Sequence, residues 1–252
     1  KIKNFSKAIF DKIDIAFPQN LETKSFLRKI YVKKIKLIGN LKFIENSQDN
    51  LDKINKKLNL QLKKRKIWIA SSTHKGEEIF CAKTHLELKK KYKNILTIII
   101  PRHIHRAKEI SEEIEKLNLK VAFHSSKLKK LNDIDVYIVD TFGETKKFHK
   151  ISSSVFLGGS IINRGGQNPL EAARFGAKIF HGPDTSNFKD IYKLLKSFNS
   201  STKVNNPKQL ASSIVFKKNK FIGNKIKKIG KKILKKTLKE LDNHIQNEFK
   251  KT

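Results

Sequence analysis

Two glycine-bearing runs lie close together, Gly158-Gly159-Ser160 and Gly165-Gly166-Gln167-Asn168-Pro169-Leu170-Glu171. Glycine adopts backbone conformations closed to other residues and lets its N–H group come near a ligand. Ser154-Val155-Phe156-Leu157, just before the first run, reads as a short buried strand. After the second run, Asn168 is placed as an N-cap and Pro169 at the first helical position, where a missing N–H is harmless. Glu171 then falls where a capping box has its carboxylate. Strand, glycine loop and capped helix in that order make a candidate phosphate site, because a helix start carries unpaired N–H groups. The same residues also fit a well-capped helix that follows a mobile loop.

Three other clusters accompany this one. Pro101-Arg102-His103 with Arg106 puts guanidinium and imidazole groups at a strand end and in a first helical turn. Their charge opposes the helix dipole there, and an anion between them relieves that cost. His105 reads as an exposed bystander. Asp140-Thr141-Phe142-Gly143-Glu144 also joins a strand to a helix; Gly143 permits close backbone approach, while Asp140 and Glu144 suit either sugar hydroxyls or helix capping. Ser72-Thr73-His74 with Glu77 has the pattern of a capping box, and its histidine equally suits a ligand. No His/Cys cluster has metal-ligand spacing. A donor handled without metal or other cofactor is expected. There is no Walker-type loop and no nucleophile elbow, and Cys81 is assigned to a helix core.

The elements around these loops alternate. Ile67-Trp68-Ile69-Ala70, Ile95 to Ile100, Lys120 to Phe123, Asp135 to Val139, Ser154 to Leu157 and Lys178 to Phe180 read as strands, with helices at Glu77 to Lys91 and from His103 to about Leu117. This predicts an α/β fold, a doubly wound parallel sheet with ligands at the carboxyl ends of its strands. Residues 1–43 hold helical pieces at Lys7 to Asp11 and Leu21 to Tyr31 and a strand at Ile35 to Ile38, too little for a core. Residues 44–65, with leucines at Leu51, Leu58, Leu60 and Leu62, read as a linker with an amphipathic helix. The tail 221–252 reads as a lysine-dense helix whose Ile222, Ile226, Ile229, Ile233, Leu234, Leu238, Leu241 and Ile245 form one apolar stripe.

Composition bounds the partners. The 252 residues contain one cysteine and no methionine, so intrachain disulfides are excluded, a reducing compartment is expected, and the chain reads as a fragment or processed form. The formal charge of +33 invites a nucleic acid or an anionic membrane surface as partner. Heavy use of lysine, isoleucine and asparagine points equally to a biased genome. No nucleic-acid module is visible, so no nucleic-acid partner is expected, whereas a membrane-surface role for the tail stays open. With lysine the default cation, the six arginines (Arg28, Arg65, Arg102, Arg106, Arg164 and Arg174) read as choices for a planar, multi-donor head.

Taken together, the loops resemble one family, the 3-deoxy-D-manno-octulosonic acid (Kdo) transferases of lipopolysaccharide assembly. The matching stretches are Gly39-Asn40-Leu41-Lys42-Phe43, Ser71 to Glu78, Pro101-Arg102-His103, Asp140 to Glu144, Phe156 to Ser160, Gly165 to Glu171, Gly182-Pro183 and Asn187-Phe188. The resemblance implies a GT-B glycosyltransferase: one near-complete Rossmann-like donor domain at 66–220, the end of a second, acceptor domain at 1–43, the linker 44–65, and a basic helix 221–252 crossing back. It implies transfer of Kdo from the donor CMP-Kdo to lipid IVA, the lipid A precursor, without metal, at the cytoplasmic face of the bacterial inner membrane. By resemblance, Arg102, His103, Phe142, Gly143, Glu144, Asn168, Pro169, Leu170 and Glu171 hold CMP. Ser72, Thr73, His74, Arg106, Gly159, Ser160, Gly166 and Gln167 are further candidates.

Lys42 matches the lysine that stabilises the transition state, where a cation suits the departing phosphate. Glu171, which phosphate would repel, is assigned to ribose hydroxyls. The family usually has histidine at the position of Gln167, so a possible cation is replaced by an amide. Its catalytic base is a glutamate near the start of the N-terminal domain, a region without counterpart here. A chain that binds CMP or CMP-Kdo without transferring sugar is therefore expected. The rival readings are a GT-B enzyme for another nucleotide sugar and a charge-driven nucleic-acid binder.

Overall fold

The structure is a computed structural model that describes residues 2–44, 54–126 and 130–250. Residues 45–53 of the expected 44–65 linker, Leu51 among them, lie outside the described residues. Two compact units divide the chain: Asp49–Asn224, and Lys1–Gln48 together with Lys225–Thr252.

The larger unit is built on one sheet. Its strands are β1 (Lys66–Thr73), β2 (Ile95–Pro101), β3 (Val121–Phe123), β4 (Val136–Ile138), β5 (Ser154–Leu157), β6 (Lys178–His181) and β7 (Ser201–Lys203). They run in the order β3-β4-β2-β1-β5-β6-β7, and every neighbouring pair is parallel. Helices cover both faces, which is why β2 reads Ile-Leu-Thr-Ile-Ile-Ile-Pro without alternation and is buried throughout. The helices of this unit are α3 (Lys56–Lys63), α4 (Glu77–Lys89), α5 (Ala107–Glu115), α6 (Thr145–His149), α7 (Leu170–Arg174), α8 (Lys189–Ser197) and α9 (Pro207–Ser213). In α5 the buried Ala107, Ile110 and Ile114 recur at helical spacing, the pattern of a helix laid on a sheet. The chain builds outward from β1 through β2, then returns to set β5 against the other side of β1. That reversal opens a crevice at the carboxyl ends of β1 and β5.

Two polar staples hold the β1–β2–β4 region. The Arg65 guanidinium donates to the carbonyls of Ile95 at 2.6 Å, Ile134 at 2.8 Å, Asn94 at 3.0 Å and Asn132 at 3.2 Å, and also to that of Leu131. Only a multi-donor head closes so many carbonyls. Asp135 accepts from Lys89 Nζ at 2.6 Å, the Lys120 backbone N–H at 3.0 Å and His85 Nε2 at 3.3 Å. Burial opposes its charge, yet these donors outweigh burial and hold the carboxyl well below the usual aspartate range. A carboxyl with a depressed folded-state pKa stabilises the fold above its unfolded value of about 4 and loses that contribution as pH falls through the lower, folded value. Asp135→Asn should therefore be less stable than the parent at neutral pH. In denaturant titrations at several pH values the gap should narrow below about pH 4; a constant gap would contradict this role.

The smaller unit contains α1 (Ile2–Phe10), α2 (Leu21–Lys29), a 3-10 turn at Leu41–Phe43 and most of α10 (Lys220–Phe249). The strand expected at Ile35 to Ile38 does not form, and a single parallel bridge joins Ala16 to Ile35. Its bonds, Ala16 N–H to Lys34 O at 2.9 Å and Lys36 N–H to Ala16 O at 3.0 Å, would next need a donor at Pro18, which has none. Gly230 of α10 lies so close to the Phe43 carbonyl that a Cβ would not fit. The tail helix differs from the single stripe expected. Ile222, Ile226, Ile233 and Thr237 are buried, while Leu234, Leu238 and Ile245 are exposed. No helix among the described residues is long and apolar enough to cross a membrane.

Candidate functional site

The crevice at the carboxyl ends of β1 and β5 is closed by a side chain that sequence reading had given a local task. Glu77, at the start of α4, is fully buried. One carboxylate oxygen accepts the N–H groups of His74 at 3.0 Å and Gly159 at 2.7 Å; the other accepts those of Ser160 at 3.1 Å and Ile161 at 3.0 Å. The His74 bond is one half of the expected capping box; the other half is missing, because α4 starts after Gly76, which has no side chain to cap it. The other three tie the glycine loop to the first strand.

This corrects the reading of the loop. The backbone donors of Gly159 and Ser160 are spent on Glu77, Gly165 N–H donates to Asp184 Oδ2 at 2.6 Å, and Gly166 N–H donates to Gly159 O at 2.9 Å. The loop is thus held by internal partners, and its glycines serve close packing. A Cβ on Gly158 would meet the Ser72 carbonyl, Thr73 Cα at 2.6 Å and Glu77 Oε2 at 2.7 Å, and one on Gly165 would run into Asn187. The Ser160 hydroxyl adds a further tie, donating to Leu157 O at 2.6 Å and accepting Gly182 N–H at 2.8 Å.

Donors and cations instead come from side chains on the rim. Arg102 is exposed just past β2, with its N–H on Thr73 O at 2.9 Å. The rings of His74 and the exposed His103 lie edge to face at 6.0 Å, and His105 is 5.7 Å beyond His103. Around Gly159 the structure gathers His74, Gln167 and Arg164: an ideal Cβ there lies 3.4 Å from His74 Cε1, 3.4 Å from Gln167 Nε2 and 3.5 Å from Arg164 Cβ. Burial lowers the His74 pKa; nearby Glu77 opposes that, while His103 and Arg164 push it further down. Such crowding of positive charge favours an anionic guest. The exposed Arg164 was missed as a site residue, and its signal was that it is an arginine beside the glycine run.

Arg106 does not join this rim. Its Nη1 donates to the fully buried Glu78 at 3.0 Å and its Nε to Glu109 at 3.3 Å, so two of its three nitrogens are held by carboxylates, while Nη2 is buried without a partner. Ser72 is partly buried with φ of 55°, and Thr73 is buried.

The remaining candidates lie on either side. Phe142 is 83 % exposed on the loop after β4, beside Gly143 with its φ of 80°. An aromatic ring kept in solvent at a strand end is suited to stack on a planar group. Asp140 accepts Ser125 N–H at 2.9 Å, and Glu144 pairs with Lys147 at 2.9 Å, so neither side chain caps α6.

Helix α7 begins one residue later than expected. Pro169 is its N-cap, and Asn168 Oδ1 accepts Leu170 N–H at 3.1 Å. Pro169 and Leu170 are buried and Asn168 is exposed. Glu171 closes no capping box, because its carboxylate pairs with the buried His149 Nδ1 at 2.8 Å. Burial would raise the Glu171 pKa, but the His149 bond brings it below the usual glutamate value. Lys42 sits in the 3-10 turn of the smaller unit, where its N–H donates to Asn40 Oδ1 at 2.9 Å.

No protein-family model matches the chain. It is 33 % identical over 208 residues to a 3-deoxy-D-manno-octulosonic acid transferase of Haemophilus influenzae, covering 81 % of this chain and 49 % of that protein. The same name is carried by a Rickettsia prowazekii protein, 33 % identical over 219 residues, with 84 % and 44 % covered. The chain thus spans about half the length of the curated relatives it matches. Among solved structures, the C-terminal CMP-Kdo binding domain of WaaA from Acinetobacter baumannii superposes with a TM-score of 0.58 at 22 % identity. It covers 70 % of this chain and 93 % of that one. A glycosyltransferase from Rickettsia africae reaches 0.51 at 15 % identity, over 97 % and 68 % of the two chains. These neighbours place the sheet in the GT-B glycosyltransferase fold.

Proposed function

We propose that this chain, a homologue of the 3-deoxy-D-manno-octulosonic acid transferases over most of its length, supplies the donor-binding half of such an enzyme. The donor is CMP-Kdo, the acceptor lipid IVA, and the reaction transfer of Kdo in lipopolysaccharide assembly. One observation carries the reading: Arg102 and Arg164, with the imidazoles of His103 and His74, supply a rim of cations and hydrogen-bond donors at the sheet's switch point, where α/β folds bind nucleotides.

In this reading Arg102, His103 and Arg164 hold the CMP phosphate, Phe142 stacks on the cytosine, and Glu171, oriented by His149, accepts ribose hydroxyls. Gly143, Glu144 and the Asn168 to Leu170 segment shape the pocket. Lys42 is assigned to stabilise the departing phosphate. The donor domain runs over 66–220, and residues 1–43 belong to the acceptor domain. Binding needs no metal. The lysine-rich tail keeps the enzyme at the cytoplasmic face of the inner membrane, against anionic lipid.

Calorimetric titration with CMP tests the donor assignment. The parent should bind one equivalent, with or without EDTA. Arg102→Ala should weaken binding roughly tenfold to hundredfold, the worth of a charge-assisted contact. No CMP binding, or binding indifferent to Arg102, would refute the assignment.

A further inference from the structure

The opposite, amino edge of the sheet holds a cavity of about 450 Å³ beneath the starts of β6 and β7. Lys178, Lys217, Lys218 and Lys220 line it, with amide groups from Asn199 and Asn219, and none of the lining side chains is acidic. The walls are built from backbone in close contact. Asn219 N–H donates to Gly176 O at 2.8 Å, a Cβ on Gly176 would meet Asn219 O at 2.6 Å, and one on Gly223 would meet Arg174 O at 2.6 Å. In the first turn of α10, Ile222 N–H is taken by Asn219 Oδ1 at 3.2 Å and Gly223 N–H by Asn219 O at 3.2 Å. The charged groups of the lining are all lysine ammoniums.

We infer that this cavity is an anion site for a phosphate-bearing ligand, distinct from the donor crevice and independent of the CMP-Kdo reading. Like charges gathered around a concave wall repel one another, and no lining carboxylate offsets that repulsion. The Lys218 ammonium shows the strain: burial, and then Lys150 and Lys220, push its pKa down to about 8, although the Lys150 carbonyl accepts a hydrogen bond from it. A guest with two or more negative charges relieves the repulsion and takes several charge-assisted hydrogen bonds at once. The space fits a diphosphate or a sugar phosphate, presented either free in solution or on a lipid headgroup.

Inorganic pyrophosphate titrated against the full chain in a calorimeter is the first probe. The parent should show a saturable site. Lys217→Gln/Lys220→Gln, both exposed positions, should weaken it about tenfold or more. Lys108→Gln/Lys193→Gln removes the same charge from exposed positions on α5 and α8 and should leave the affinity within about twofold. Lys218→Gln should weaken pyrophosphate while leaving CMP binding as in the parent, so failure here and failure of the donor assignment are separable. Sedimentation with phosphatidylcholine vesicles, with and without phosphatidic acid, identifies the source. Capture by phosphatidic acid that pyrophosphate reverses and Lys217→Gln/Lys220→Gln abolishes assigns a lipid headgroup; pyrophosphate binding without capture assigns a soluble phosphate. No saturable binding, or equal loss in the two double variants, would overturn the site and reduce the effect to net charge.

Discussion

Glu77→Ala is expected to destabilise the larger unit by on the order of 4 kcal/mol. The carboxylate receives four backbone N–H groups, those of His74, Gly159, Ser160 and Ile161, in a place without solvent. Each donor left unsatisfied in a buried site costs about 1–3 kcal/mol, and water entering the gap returns part of that. A domain of this size has only about 5–15 kcal/mol in total, so the loss should show as a large drop in the urea midpoint. Glu77→Gln is the sharper test. Each carboxylate oxygen accepts two donors, so the amide's NH₂ must face one pair of N–H groups whichever way it is turned. Glutamine should therefore be destabilising despite its equal size, and CMP affinity should fall with it as the glycine loop loosens. A glutamine variant with parental stability would show that Glu77 does not clamp the loop.

Gly158→Ala should be comparably damaging for a steric reason alone. Its Cβ would meet backbone at the Ser72 carbonyl and at Thr73 Cα, 2.6 Å away, and neither can rotate out of the way. Overpacking of this kind costs about 3 kcal/mol where the neighbours are fixed. Gly143→Ala is the contrasting case: its Cβ would find nothing within 4 Å, but its φ of 80° is strained for any L side chain. That strain costs about 1–2 kcal/mol. Denaturant midpoints of the two variants should differ accordingly, and Gly158→Ala should alone expose the loop to protease. Equal, small effects would mean that β1 and the glycine loop are not held in contact.

The alternation of strands and helices was legible because parallel strands with both faces covered are apolar along their whole length, as Ile95 to Ile100 shows. Switch-point loops were legible for the same reason: once the strands are placed, their carboxyl ends follow. Less legible was anything that depends on a partner distant in the chain. Arg106 reads as a phosphate ligand next to Arg102, yet it turns towards Glu78, whose burial leaves it in need of a cation. Glu171 reads as a helix cap, yet a buried His149 takes its carboxylate. The strand at Ile35 fails because its partner segment carries Pro18, a fact visible in the sequence only after the pairing is known.

By itself, the amino-acid sequence determined that a glycine loop follows a buried strand and leads into a helix, and that arginine and histidine stand at neighbouring strand ends. Those features are local, set by side-chain period, backbone freedom and capping chemistry. Tertiary structure decided what the loop is for. Folding brings Glu77 under Gly159, Ser160 and Ile161, so their N–H groups are consumed in holding β1 and β5 together, which leaves the side chains of Arg102, His103, His74 and Arg164 as the anion ligands of the proposed donor site. A buried donor pairs with whatever acceptor the fold delivers first, and no spacing within the loop records that this acceptor is a carboxylate from another part of the chain.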